Sequence, residues 1–231
     1  MSNHSFTNIL EYIQKRYVGL SSKQLQDRQA VYSFKDGNCP SYVKELLLEK
    51  INSVISPNPS AWVVCFIPAS TKAKHLRRYH DLSNYLNDHL SCPVYIDGID
   101  VMYDRESGYV TGKTNNPIEN MKFNPGRFAG KKVVLVDDVR TRGVTFDKTA
   151  DELVSFGAVS VFGVFLAQTI HPNLPIDTTP RARGGYDDEF IDDFIAEDLY
   201  QEELANEFME EDAYLQEFDA DIYDDIPDEY F

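Results

Sequence analysis

Between Lys131 and Phe146 the chain reads Lys-Lys-Val-Val-Leu-Val-Asp-Asp-Val-Arg-Thr-Arg-Gly-Val-Thr-Phe, and this stretch limits the fold more than any other. Val133 to Val136 form an unbroken apolar run, mostly β-branched, without the alternation of a strand that has one wet face. Such a run belongs to a strand buried on both faces, the situation of strands in parallel α/β sheets covered by helices. Asp137 and Asp138 then stand where the strand should leave the sheet, and Thr141, Gly143 and Thr145 follow. From Asp147 to Val154 the spacing is helical. Strand, polar turn and helix start in that order build an anion site. The turn's N–H groups, the hydroxyls and the positive end of the helix converge on one point. Beside a carboxylate pair, that site suits a ligand carrying a phosphate and vicinal hydroxyls, such as a ribose 5-phosphate.

The segment resembles the signature of the type I phosphoribosyltransferases: a hydrophobic strand, two acids, then a Thr-x-Gly-x-Thr loop. The resemblance implies that Asp137 and Asp138 hold the ribose hydroxyls of phosphoribosyl pyrophosphate. It implies that Val139, Arg140, Thr141 and Arg142, with Gly143, Val144 and Thr145, cradle the 5-phosphate. The implied reaction transfers the phosphoribosyl group to a base or amine and releases pyrophosphate. Mg²⁺ is the implied cofactor, held through the substrate and water rather than by direct protein ligands.

A second apolar run, Trp62 to Ile67, reads as another buried strand, and Pro68, Ala69, Ser70, Thr71 and Lys72 follow it. In the family the equivalent strand ends in a short loop that binds the pyrophosphate through backbone groups. Pro68 to Lys72 resemble that loop in position and in small-residue character. The cationic run beyond it, including Lys74, Arg77 and Arg78, suits a polyphosphate, which makes Arg77 and Arg78 candidate pyrophosphate contacts. The arrangement is similar to the competence-protein-F-like branch, in which an Arg-Gly-Phe-Asn-type segment opens the following helix. Here Arg78-Tyr79-His80 stands in its place and lacks the glycine. From Asp104 to Asn124 glycines, Asn115, Asn116 and Pro117 break any apolar period. A loop of that length is either functional or an ordinary surface loop; the resemblance implies a flap that closes over the sugar pyrophosphate, with Arg105 and Lys113 delivering positive charge.

The remaining elements follow from spacing. Phe6, Ile9, Leu10, Ile13 and Tyr17 predict an amphipathic N-terminal helix. Ser21 caps a second helix start, and Val31 to Gly37 alternate like a short strand or hairpin edge. Tyr42 to Ile55 line a helix that Pro57 and Pro59 stop. Pro93 to Asp97 and Val159 to Leu166 read as strands. The whole predicts an α/β fold with a mostly parallel sheet flanked by helices, ligands lying at the carboxyl ends of the strands. N-terminal helices would occupy residues 1–60, the core 61–175 and an acidic tail 176–231.

Charge divides the chain. Of its 231 residues, 38 are acidic and 22 basic, for a net charge of −16. From Gly184 to the end lie 20 of the acids and none of the bases, which leaves 18 acids against 22 bases elsewhere. A mildly basic body therefore carries a strongly acidic, aromatic-rich tail. The tail reads either as a solvated segment or as one that docks on a basic groove or a protein partner. Its charge argues against direct nucleic-acid binding. Cys39, Cys65 and Cys92 lack any metal or disulfide spacing, and neither a membrane span nor a secretory pattern is present, so a cytoplasmic protein with reduced thiols is expected. The resemblance adds a homodimer as the expected assembly. The alternative to the enzyme is a non-catalytic module of the same fold that senses the sugar pyrophosphate or a nucleotide, or serves DNA uptake.

Overall fold

A computed structural model describes residues 4–103 and 116–177. Arg105, Lys113 and the acidic tail from residue 178 lie outside the described residues. In chain order the strands are β1 (Ser5–Tyr12), β2 (Trp62–Phe66), β3 (Val94–Tyr95), β4 (Ile99–Val101), β5 (Met121–Phe123), β6 (Lys132–Arg140) and β7 (Ser160–Thr169). The helices are α1 (Ser22–Lys35), α2 (Ser41–Ile55), α3 (Lys72–His89), the single turn α4 (Pro125–Phe128) and α5 (Val144–Ser155).

Five strands form a sheet in the order β1-β7-β6-β2-β3, and every pairing in it is parallel. β6, the strand of Val133 to Val136, lies at the centre, and those four residues are fully buried. Alternate residues serve opposite faces. Val63, Cys65, Ile67, Val133 and Leu135 pack with Phe146, Ala150 and Leu153 of α5, and with Ile99 and Met121 of the antiparallel β4–β5 pair. On the opposite face Phe66 meets Tyr79 of α3 at 4.8 Å, and Tyr79 in turn meets Phe34 of α1 at 5.9 Å between ring centroids. The three cysteines are buried and unbridged.

Three expectations fail here. Residues 5–12 are an edge strand, not a helix: β1 pairs with β7 from Ser5↔Phe162 to Tyr12↔Thr169. The N-terminal part of the chain is therefore not all helical. Val31 to Lys35 belong to α1 rather than to a strand. The capping box formed by Ser21 and Gln24 starts that helix, and Asp27, Ala30, Val31 and Phe34 face inward at helical spacing. Met121 to Phe123 form a strand inside the stretch that lacks an apolar period, because backbone pairing to β4 needs only three residues.

Candidate functional site

The sheet changes direction between β2 and β6. From β2 the chain crosses by α3 to β3 on one side; from β6 it crosses by α5 to β7 on the other. Connections that step opposite ways place their helices on opposite faces, and a crevice opens between the two strands at their carboxyl ends. The last β2–β6 pair is Phe66↔Val136, sealed by Ile67 N–H donating to the Val136 carbonyl at 3.0 Å. Beyond it β2 turns away, while β6 continues through Asp137 to Arg140 beside β7, ending at Arg140↔Gln168.

Val139 and Arg140, expected in the phosphate loop, are therefore strand residues, and Val144 and Thr145 form the first turn of α5. The turn proper is Thr141, Arg142 and Gly143. Gly143 occupies the N-cap position at φ +85°, so α5 starts without a capping side chain. The turn is tied to β7: the Thr141 and Thr169 hydroxyls lie 2.9 Å apart, and Gln168 Nε2 donates to the Thr141 carbonyl at 3.1 Å. Arg142 is exposed. Asp147 shares the first helical turn; burial raises its carboxyl, while Arg140 and His4 pull the other way.

Across the crevice, Pro68 to Thr71 lead into α3. The Thr71 hydroxyl caps the helix by accepting from Lys74 N–H at 3.1 Å. Lys72 is exposed and Lys74 half-buried in its first turn, and Arg77 is exposed further along. The structure thus brings the two predicted loops to adjacent strand ends, each opening a helix whose positive end supports an anion.

The two aspartates do not share one environment. Asp137 is half-buried, and its Oδ1 accepts both the Tyr79 hydroxyl at 3.1 Å and the Asp138 N–H at 2.8 Å. Asp138 is only 4% exposed. Its Oδ1 accepts Val139 N–H at 2.7 Å, and its Oδ2 lies 2.9 Å from Arg78 Nη1 and 3.6 Å from Lys35 Nζ. Burial pushes the Asp138 carboxyl up, but Arg78, Lys35 and the Val139 N–H outweigh it, and the group ends below its ordinary value of 3.8. Arg78, expected at the pyrophosphate, is engaged instead with an acid of β6. Burial raises the Tyr79 phenol well above its ordinary value, with Asp137 adding to the effect, so it is a proton donor at neutral pH.

Lys35, Tyr79, Thr169 and Gln168 are site residues that sequence reasoning missed. Tyr79 sits beside Arg78 in the cationic segment, and its position one helical turn past His75 is a signal of the buried face. Lys35 offers none, since its partner is far along the chain.

Among known proteins, no family model matches the chain. A curated sequence from Lactococcus lactis, "Putative ribose-phosphate pyrophosphokinase 2", is 31% identical over 98 residues, which is 42% of this chain and 25% of that protein. The matched segment thus spans a quarter of that relative's length. Similar solved structures include a hypoxanthine-guanine phosphoribosyltransferase from Bacillus anthracis, with 19% identity over 65% of this chain and 77% of that one at a TM-score of 0.36. They also include a purine phosphoribosyltransferase from Pyrococcus horikoshii, with 15% identity over 61% and 95% at 0.36. Similarities of that size assign no family. What the chain itself displays is a five-stranded parallel sheet, flanked by helices, with two helix-opening loops at its switch point.

Proposed function

We propose that the chain binds phosphoribosyl pyrophosphate and acts as a phosphoribosyltransferase. One observation carries the reading: Pro68–Thr71 and Thr141–Gly143 leave neighbouring parallel strands at the switch point, and the half-buried carboxylate of Asp137 lies where β2 turns away from β6. The 5-phosphate would sit at the Thr141–Gly143 turn and the start of α5, the diol at Asp137, and the pyrophosphate at the start of α3 beside Lys72 and Lys74. The partial likeness to a sequence named for ribose phosphate supports a ligand of that class.

In the reaction a nucleophilic nitrogen attacks C1 of the ribosyl group. The bond from C1 to the pyrophosphate oxygen breaks, and its electron pair leaves with the pyrophosphate. The chain's own part is positioning and charge neutralisation by helix ends and lysines. Mg²⁺ in such sites keeps mostly phosphate and water ligands with one or two carboxylates. Among the described residues no group of three or more His, Cys, Asp or Glu gathers to hold a metal. Mg²⁺ would arrive with the substrate, ligated by phosphate and water, and Asp137 would be the side chain to hold it through water.

A second reading, a non-catalytic sensor of the same ligand, draws on the pairing of Arg78 with Asp138, which withdraws one candidate cation from the pyrophosphate. Measuring pyrophosphate release from phosphoribosyl pyrophosphate and Mg²⁺ across a panel of bases and amines separates the two. Turnover with any acceptor supports the enzyme, binding without turnover supports the sensor, and absence of binding removes both.

A further inference from the structure

Asp137 and Asp138 are neighbours in sequence but differ in what surrounds them. Around Asp138 three elements converge: β6 supplies the acid, α3 supplies Arg78 and α1 supplies Lys35. Their side chains are 6%, 11% and 10% exposed respectively. Asp138 Oδ1 accepts the Val139 N–H, while Oδ2 is shut away from solvent against two cations, as an ion pair that makes no hydrogen bond. A sugar hydroxyl can reach this buried carboxylate only by parting it from the cations packed over it, and a buried cation without its partner is strongly unfavourable. Asp137 is half-buried at the point where β2 departs, and its Oδ1 is fixed from two sides, by the Asp138 backbone and by the Tyr79 phenol. Tyr79 is itself immobilised among Phe34, Phe66 and His75.

Resting on the proposed ribose-phosphate site, we infer that the acid pair divides its labour: Asp137 alone meets the sugar diol, Tyr79 is the residue that positions it, and Asp138 is an internal counter-ion for Arg78 and Lys35. The Tyr79 hydroxyl holds one oxygen of Asp137, and so sets the direction in which the carboxylate presents itself to the crevice. The packed ring of Tyr79 makes that direction rigid, because the phenol cannot swing without displacing the aromatic residues around it. Asp138 serves a different end. Its single charge is shared between the two cations that α1 and α3 bring against the sheet, and so ties both helices to the strand that carries Asp137.

The experiment compares the affinities of the full chain for ribose 5-phosphate and for inorganic phosphate, since phosphate alone reads the turn and the sugar adds the diol. Wild type is expected to prefer the sugar phosphate. Asp137→Asn should weaken ribose 5-phosphate binding about tenfold, and Tyr79→Phe about fivefold, both leaving phosphate affinity unchanged. Tyr79→Phe keeps the ring, so a purely packing role for Tyr79 would leave the preference intact. Asp138→Asn should lower Tm sharply. Adding Lys35→Met removes one of the two buried cations left without their acid and should recover part of that Tm while the preference for the sugar persists. A recovered Tm with the preference lost overturns the assignment of Asp138, and a preference that survives Tyr79→Phe overturns the role of Tyr79. A wild-type chain that binds phosphate and ribose 5-phosphate equally overturns the proposed ribose-phosphate reading and this inference with it.

Discussion

The guanidinium of Arg140 fills the space that a side chain on Gly143 would need: a Cβ there would fall 2.6 Å from Arg140 Cζ and 2.8 Å from its Nε. The same guanidinium lies 3.8 Å from the ring centroid of Phe6 on β1. An edge strand, the last residue of the central strand and the turn that opens α5 are thus joined through one arginine. The backbone at Gly143 is left-handed, at φ +85°; that conformation selects glycine, and the guanidinium adds only what it costs the arginine to move off Phe6.

Gly143→Ala should therefore destabilise the chain by about 1–2 kcal/mol through the left-handed backbone, with a smaller addition from displacing the arginine. Arg140→Ala in the same chain should recover that addition alone. Denaturant unfolding of the two single variants and the double variant gives the coupling. Independent, additive effects would show that the arginine does not fill this space.

Ser21→Ala tests whether α1 is held at its start. Ser21 accepts from Gln24 N–H at 3.3 Å, and Gln24 Oε1 accepts from Ser21 N–H at 2.9 Å. Loss of such a cap costs about 0.5–2 kcal/mol. Tm should fall while phosphate affinity holds, since the cap lies at the opposite end of α1 from Lys35.

Ser21 also shows what is legible in the sequence. The cap signal is plain there, yet the residues it launches read as part helix and part strand. Val31, Tyr32 and Phe34 suit strands by type, but a helix already nucleated continues through them when Asp27, Ala30, Val31 and Phe34 share one buried stripe. The opposite error befalls β1. Phe6, Ile9, Leu10 and Ile13 satisfy helical spacing by coincidence, and an edge strand with a mixed burial pattern has no clean alternation to contradict it. The central strand and both loops are legible because their signals are local. The pairing of Lys35, Arg78 and Asp138 is not, because it joins three elements distant in sequence, and no local pattern records which buried charge meets which.

Gly163 governs how closely α5 approaches the sheet. It pairs with Leu135 on β6, and a Cβ there would lie 2.7 Å from Phe146 Cε2 and 2.8 Å from Phe165 Cε2. Gly163→Ala should cost about 1–3 kcal/mol through overpacking. It should also weaken phosphate binding, because Phe146 stands in the first turn of α5 and displacement of its ring moves the helix start. Phe146→Leu in the same chain makes room for the methyl group and should restore part of the stability. Equal stability of wild type and Gly163→Ala would mean that the ring yields freely and that the helix start is not held by this contact.

Two buried groups each remove stability on the acid side of the profile, in separate windows. His75 on α3 is 4% exposed, with Nε2 3.0 Å from the Ile96 carbonyl. Burial lowers its pKa below the ordinary 6.5; the Ile96 carbonyl and Asp100 oppose this effect and Arg78 adds to it. Between its folded value and 6.5 the unfolded chain binds a proton that the native chain does not, so stability rises with pH there and is lost as pH falls from 6.5. Asp138 acts lower. Its folded value lies below 3.8, so its contribution is complete above 3.8 and disappears as pH falls through the folded value. A tenfold difference in proton affinity between the folded and unfolded chain corresponds to about 1.4 kcal/mol. Denaturant midpoints measured from pH 7.5 to 3 should fall in two stages. His75→Gln should flatten the upper stage and leave the lower one, and Asp138→Asn with Lys35→Met should do the reverse. If the upper stage persists unchanged in His75→Gln, the buried imidazole is not its source and the neutral state assigned to His75 in the fold is wrong.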